Sequence, residues 1–79
     1  MPDLETEEEH LAKAERDIAE GEERIARQAE LVGRLRSAGH DATDAEALLR
    51  TFRETLAVWR DHRDEILRAI ARLQGQMGA

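Results

Sequence analysis

Residues 34–46 read Arg-Leu-Arg-Ser-Ala-Gly-His-Asp-Ala-Thr-Asp-Ala-Glu, and this stretch interrupts a chain that otherwise favours helix. Gly39 predicts the left-handed backbone conformation that commonly ends a helix. Thr43, with Glu46 three residues later, predicts a capping box at the start of a second helix, and Asp41 is the competing N-cap. The stretch therefore predicts two helices joined by a short turn.

Heptad spacing on both sides of the turn predicts how the two helices pack. Large apolar residues recur every seven positions, with a second series three residues later, as in coiled-coil helices. A short connection makes the helices antiparallel neighbours, so the predicted fold is an all-α, antiparallel two-helix coiled-coil hairpin. The predicted seam comprises Leu11, Ile18, Ile25, Val32, Leu35, Leu49, Phe52, Leu56, Trp59, Ile66, Ile70 and Leu73.

The length of 79 residues predicts a single domain. Within it, we expect helix 1 over about residues 4–37 and helix 2 over about residues 44–74. The turn then occupies about residues 38–43, and the tail over residues 75–79 is expected to fray.

The register of the seam is predicted from the turn length, which suggests that the numbers of facing residues add to about 84. Gly21 then lies opposite Arg63, whose guanidinium would reach Asp17 or Glu22 while its aliphatic stem packs. Gln28 is a second polar position in the seam. Because polar core residues in coiled coils often fix register or oligomeric state, we predict that role for Gln28 and Arg63.

Charged residues beside the seam agree with this register. Glu22 is expected to face Arg60, and Arg36 is expected to face Glu46. Exposed pairs of this kind contribute little stability, so they support the register more than the fold.

A second apolar stripe beside the seam predicts self-association. It widens the apolar face beyond the strict heptad seam, as core-facing helices of a bundle require. Since a short hairpin buries little core, we predict a homodimer that forms a four-helix bundle. The alternative is an isolated hairpin with scattered exposed leucines, because single exposed apolar residues are normal. The predicted self-association flank comprises Leu31, Leu48, Thr55 and Ala69.

The composition limits the classes of partner. Charged residues make up 38% of the chain and the formal net charge is -6, which disfavours nucleic acid and anionic membranes. The sequence has no apolar run long enough to span a membrane, and residues 1–5 lack the apolar core of a signal peptide. Because the chain has no cysteine, disulfides and thiolate metal sites are excluded, and a reducing cytoplasm is the expected compartment.

Candidate chemistry in the sequence is sparse. Glu7 and His10 have the spacing that carboxylate-bridged metal sites use on helices, but His62 and Glu65 reverse that order. The sequence shows no nucleophile with a base and no phosphate-binding loop, so we predict no catalytic, cofactor-binding or metal-binding residue. His40, in the turn, is either a recognition tip or a residue that shapes the turn.

Four stretches carry a family resemblance: Ile25 to Gln28, Gly39 to Asp41, Leu48 to Phe52 and His62 to Asp64. In these stretches the chain resembles a group of small bacterial helical-hairpin proteins with no assigned activity. The resemblance implies a soluble bacterial hairpin and no particular chemistry.

The sequence favours a non-enzymatic structural or protein-interaction module that self-associates through helix packing. The alternative is a small regulatory adaptor, or an antitoxin-like protein, that docks into a partner's helical groove. A metal- or ligand-binding helical bundle is a third hypothesis.

Overall fold

The computed structural model describes residues 3–77, and this part of the chain is a hairpin of two long helices with no strand. Helix α1 spans Leu4–Ser37 and helix α2 spans Thr43–Met77. The helices pack side by side along their length in a rod of 62 × 17 × 15 Å. The predicted all-α helical hairpin is confirmed.

The end of α1 is fixed by backbone hydrogen bonds around Gly39. This residue has a φ of 74°, in the left-handed region that L side chains rarely adopt. The N–H of His40 donates to the carbonyl of Leu35 at 2.9 Å, and the N–H of Gly39 donates to the carbonyl of Arg36 at 3.1 Å. These two bonds form a Schellman motif, which satisfies carbonyls that the helix end would leave unpaired.

The start of α2 differs from the predicted capping box. Oδ1 of Asp41 accepts hydrogen bonds from the N–H and the hydroxyl of Thr43, at 3.0 and 2.6 Å. Glu46 does not reach back to Thr43, because its Oε1 accepts two charge-assisted bonds from the guanidinium of Arg36, at 2.9 and 2.7 Å. The prediction of a capping box was wrong, and the competing residue Asp41 supplies the carboxylate.

The C-terminal end of α2 lies beyond the predicted end at residue 74. The helix continues through Gly75 to Met77. A single exposed glycine weakens a helix by about 1 kcal/mol and does not by itself end one. Residues 78–79 of the predicted tail lie outside the described residues.

The core of the hairpin is a narrow strip between the helices. All twelve residues of the predicted seam are buried or half-buried. Among the described residues, Val32 is one of the least exposed side chains at 4%, and no side chain is completely buried. The buried apolar residues are Ala14, Ile18, Val32, Ala42, Leu49, Leu56, Ile66 and Ile70.

Candidate interaction surface

The register of the hairpin is set by a close contact between the smallest and the largest residue of the seam. A Cβ atom placed on Gly21 would lie 3.2 Å from Cζ3 of Trp59 and 3.3 Å from Cδ1 of Leu56. The predicted register had placed Gly21 opposite Arg63, about one helical turn away, and that prediction is corrected. The indole ring of Trp59 fills the space that the missing side chain of Gly21 leaves.

The two polar residues of the seam both make polar contacts, and the contact of Arg63 differs from the predicted one. Nε2 of Gln28 donates a 2.9 Å hydrogen bond to the carbonyl of Ala45, which ties α1 to the first turn of α2. Arg63 is half-buried, and its guanidinium lies 3.3 Å from Oδ1 of Asp64. The guanidinium pairs with its chain neighbour, so the predicted partners Asp17 and Glu22 are wrong.

One side of the hairpin, here called the arginine flank, carries Arg36, Arg53 and Arg60. Both predicted ion pairs lie here: Nη2 of Arg36 is 2.7 Å from Oε1 of Glu46, and Nη2 of Arg60 is 3.4 Å from Oε1 of Glu22. An open groove of about 430 Å³ runs between the helices on this flank, near the turn. The groove walls are both charged and apolar, since its lining comprises Ala29, Val32, Gly33, Arg36, Glu46, Leu49, Arg50 and Arg53.

The opposite side, here called the leucine flank, consists of the predicted self-association residues Leu31, Leu48, Thr55 and Ala69. Leu31 is 37% exposed and Leu48 is 45% exposed. Single exposed apolar residues also occur off this flank, at Val58 and Leu67, whereas Leu31 and Leu48 occupy equivalent heptad positions on one side. Thr55 is exposed and Ala69 is half-buried. The hairpin alone therefore leaves apolar surface of this flank in contact with solvent.

A shallow cleft on the leucine flank adjoins the contact between Gly21 and Trp59. Its lining also includes Phe52 and Thr55. The guanidinium carbon of Arg24 lies 5.7 Å from the centroid of the Phe52 ring, within range of a cation-π interaction. Both aromatic side chains are half-buried, so the leucine flank also presents aromatic surface to solvent.

The N-terminal ends of the two helices each carry an aspartate with a lowered pKa. Hydrogen bonds from the hydroxyl and the N–H of Thr43 hold the pKa of Asp41 below its ordinary value. A backbone hydrogen bond from Thr6, 2.7 Å long, does the same for the pKa of Asp3. In both cases the bonds favour the ionised carboxylate, which therefore stabilises the helix start.

The candidate metal ligands do not form a cluster in the described part of the chain. Nδ1 of His10 lies 3.8 Å from Oε2 of Glu7, and the His10 side chain is largely exposed. Within residues 3–77, no group of three or more His, Asp or Glu side chains lies close enough together to hold a metal ion. Neither described helix combines the length and the apolar composition needed to cross a bilayer.

Two alanines near the turn belong to the core although the heptad pattern did not single them out. Ala42 is buried against Val32 and Leu49, and Ala29 packs against the same cluster. Ala42 precedes α2, where heptad spacing gives no signal. Its apolar side chain between the polar residues Asp41 and Thr43 was the one available indication.

Comparisons with protein-family models, with curated proteins and with solved structures find no match to this chain. The resemblance to bacterial helical hairpins therefore stays a prediction. The fold defines the chain as a two-helix hairpin, and its surface is the basis for a functional proposal.

Proposed function

We propose that this chain is a non-enzymatic interaction module that pairs with a second copy of itself through the leucine flank, forming a four-helix bundle. The observation that carries the proposal is the exposure of Leu31 and Leu48 at equivalent heptad positions on the same side of the hairpin. In an antiparallel pair, these flanking positions lie beside each other at one level of the rod. The proposal places this pairing in a reducing cytoplasm, consistent with the absence of cysteine.

The shape of the hairpin supports pairing. Its accessible surface is 5880 Å², whereas a globular chain of 9.0 kDa exposes about 4,900 Å². Its radius of gyration of 17.9 Å exceeds the ~12 Å of a globular domain of this length. A rod with this excess surface gains burial when a second rod covers one of its long faces.

The area of one long face is sufficient for a stable interface. With a length of 62 Å and a width of 15–17 Å, a face covers roughly 1,000 Å². Standard protein-protein interfaces bury about 800 Å² per partner. Completing the burial of a leucine that is about 40% exposed contributes on the order of 1 kcal/mol, and two copies present four such leucines.

The test introduces one negative charge on each flank, in two separate variants. Leu48→Asp puts a carboxylate on the leucine flank, and Leu67→Asp is a matched control because Leu67 is 43% exposed at the heptad position of the arginine flank. We expect Leu48→Asp to weaken dimerisation at least ~100-fold, about 3 kcal/mol, and Leu67→Asp to have little effect. Light scattering measures the mass of each, and circular dichroism verifies that both stay helical.

Equal dimerisation of the two variants would contradict the proposed interface. A dimer that is lost only in Leu67→Asp would move the interface to the arginine flank.

The adaptor function is the second candidate because the groove beside Arg50 and Arg53 could receive an acidic partner helix. Binding of an acidic helical peptide that is lost in an Arg50→Glu, Arg53→Glu variant supports that candidate.

A further inference from the structure

Residues of the leucine flank fall into two groups along the rod. The contact between Gly21 and Trp59 marks the middle level. Leu31 and Leu48 lie on the turn side of that level. The sum of the residue numbers 31 and 48 is nearly equal to the sum of 21 and 59. The two leucines therefore face each other across the seam at one height. On the open side, the equivalent flanking positions hold Asp17 and His62.

Two symmetric alignments would bring the leucine flanks of two copies together over the full length of the rod. With a twofold axis along the rod, the turns lie at the same end, and Leu31 of one copy faces the second copy's Leu48. With a twofold axis across the rod, the turns lie at opposite ends. Leu48 then faces the second copy's Ala69, and Leu31 faces its His10.

Net charge favours the opposed alignment, but only weakly. The open half, residues 3–20 and 60–77, has 11 acidic and 6 basic residues, a balance of -5. The turn half, residues 22–58, has 7 acidic and 6 basic residues, a balance of -1. The aligned dimer brings the two acidic halves together. These charges are spread over exposed helix faces, and at physiological ionic strength interactions beyond about 8 Å are largely screened.

Contacts between apolar side chains favour the aligned dimer more strongly than the net charge favours the opposed one. The aligned dimer brings Leu31 and Leu48 of both copies into one cluster next to the turns. The opposed dimer places each of these leucines opposite a small or polar side chain. At the equivalent positions, the aligned dimer sets Asp17 against the second copy's His62, and the opposed dimer sets it against the second copy's Arg24. Exposed ion pairs contribute little stability, so the leucine contacts decide between the two arrangements. We infer that the chain pairs with a second copy in the aligned arrangement, with both turns at the same end. This inference rests on the proposed self-association through the leucine flank.

The chain offers a direct test because it contains no cysteine. A single cysteine introduced by His40→Cys carries a spin label at the exposed turn, and Glu23→Cys carries one near the middle level, on the outer face. In the aligned dimer the two labels at position 40 should lie within about 30 Å, since packed helices are 8–10 Å apart. In the opposed dimer they should be separated by about the 62 Å length of the rod.

The label at position 23 is the control, because it gives a distance below about 40 Å in either alignment. Short distances at both positions are expected. A short distance at position 23 with a separation near the rod length at position 40 overturns the alignment and leaves self-association intact. The absence of a defined distance at both positions overturns self-association and the alignment together.

Discussion

Trp59 of α2 lies directly over Gly21 of α1, with Cζ3 of its indole 3.2 Å from the position of a Cβ atom on the glycine. The other helical glycine described in α1, Gly33, has no such neighbour within 4 Å. The pair therefore separates two effects of replacing a glycine in a helix: the gain in helix propensity and the cost of added volume.

The effect of a substitution at Gly21 should depend on the size of the new side chain, whereas an alanine at Gly33 meets no neighbour. Gly33→Ala should raise the free energy of unfolding by about 0.5–1 kcal/mol, and Gly21→Ala by less, because the Trp59 ring and the Leu56 methyl must shift. Gly21→Leu should lower it by about 1–3 kcal/mol. Thermal and urea unfolding, followed by circular dichroism and tryptophan fluorescence, measure these changes. A stabilising Gly21→Leu would contradict the contact.

The ion pairs of the arginine flank should couple the helices weakly and unequally. A double-mutant cycle on Arg36→Ala and Glu46→Ala should give about 0.5–1 kcal/mol, since one carboxylate oxygen accepts two bonds. The cycle on Glu22→Ala and Arg60→Ala should give less, because its contact is 3.4 Å long. Both couplings should shrink in 1 M salt. A larger coupling for the second pair would argue against the geometry at the turn.

The lowered pKa of Asp41 predicts that the stability of the folded hairpin depends on pH. Because its pKa is lowered in the folded chain, its bonds to Thr43 stabilise the fold above the ordinary value of 3.8. That contribution is lost as the pH falls through the lowered pKa. Asp41→Asn keeps an acceptor oxygen without the titration, so its melting temperature should fall less between pH 7 and pH 2 than that of the parent chain. Asp41→Ala should melt lower than Asp41→Asn at pH 7. Identical pH profiles for the parent and Asp41→Asn would count against this role.

The sequence was sufficient for the hairpin because periodicity, the glycine at the end of α1 and the short connection all indicate the same fold. It was not sufficient for the register. The turn length alone suggested a facing pair one helical turn from the observed one, whereas the decisive fact is the fit of Trp59 over Gly21, a three-dimensional property. Glu46 shows the same limit, since local spacing made it a capping residue and a partner across the turn, Arg36, binds its carboxylate instead.

The candidate surface was predictable in outline. Heptad position placed Leu31 and Leu48 beside the seam, and their exposed fractions are properties of the folded hairpin.

The mass of the unaltered chain in solution tests the central claim most directly. Sedimentation equilibrium over a range of micromolar concentrations should give twice the chain mass of 9.0 kDa, with a reversible approach to the single-chain mass on dilution. A helical protein that stays at 9.0 kDa at the highest concentrations would contradict the account.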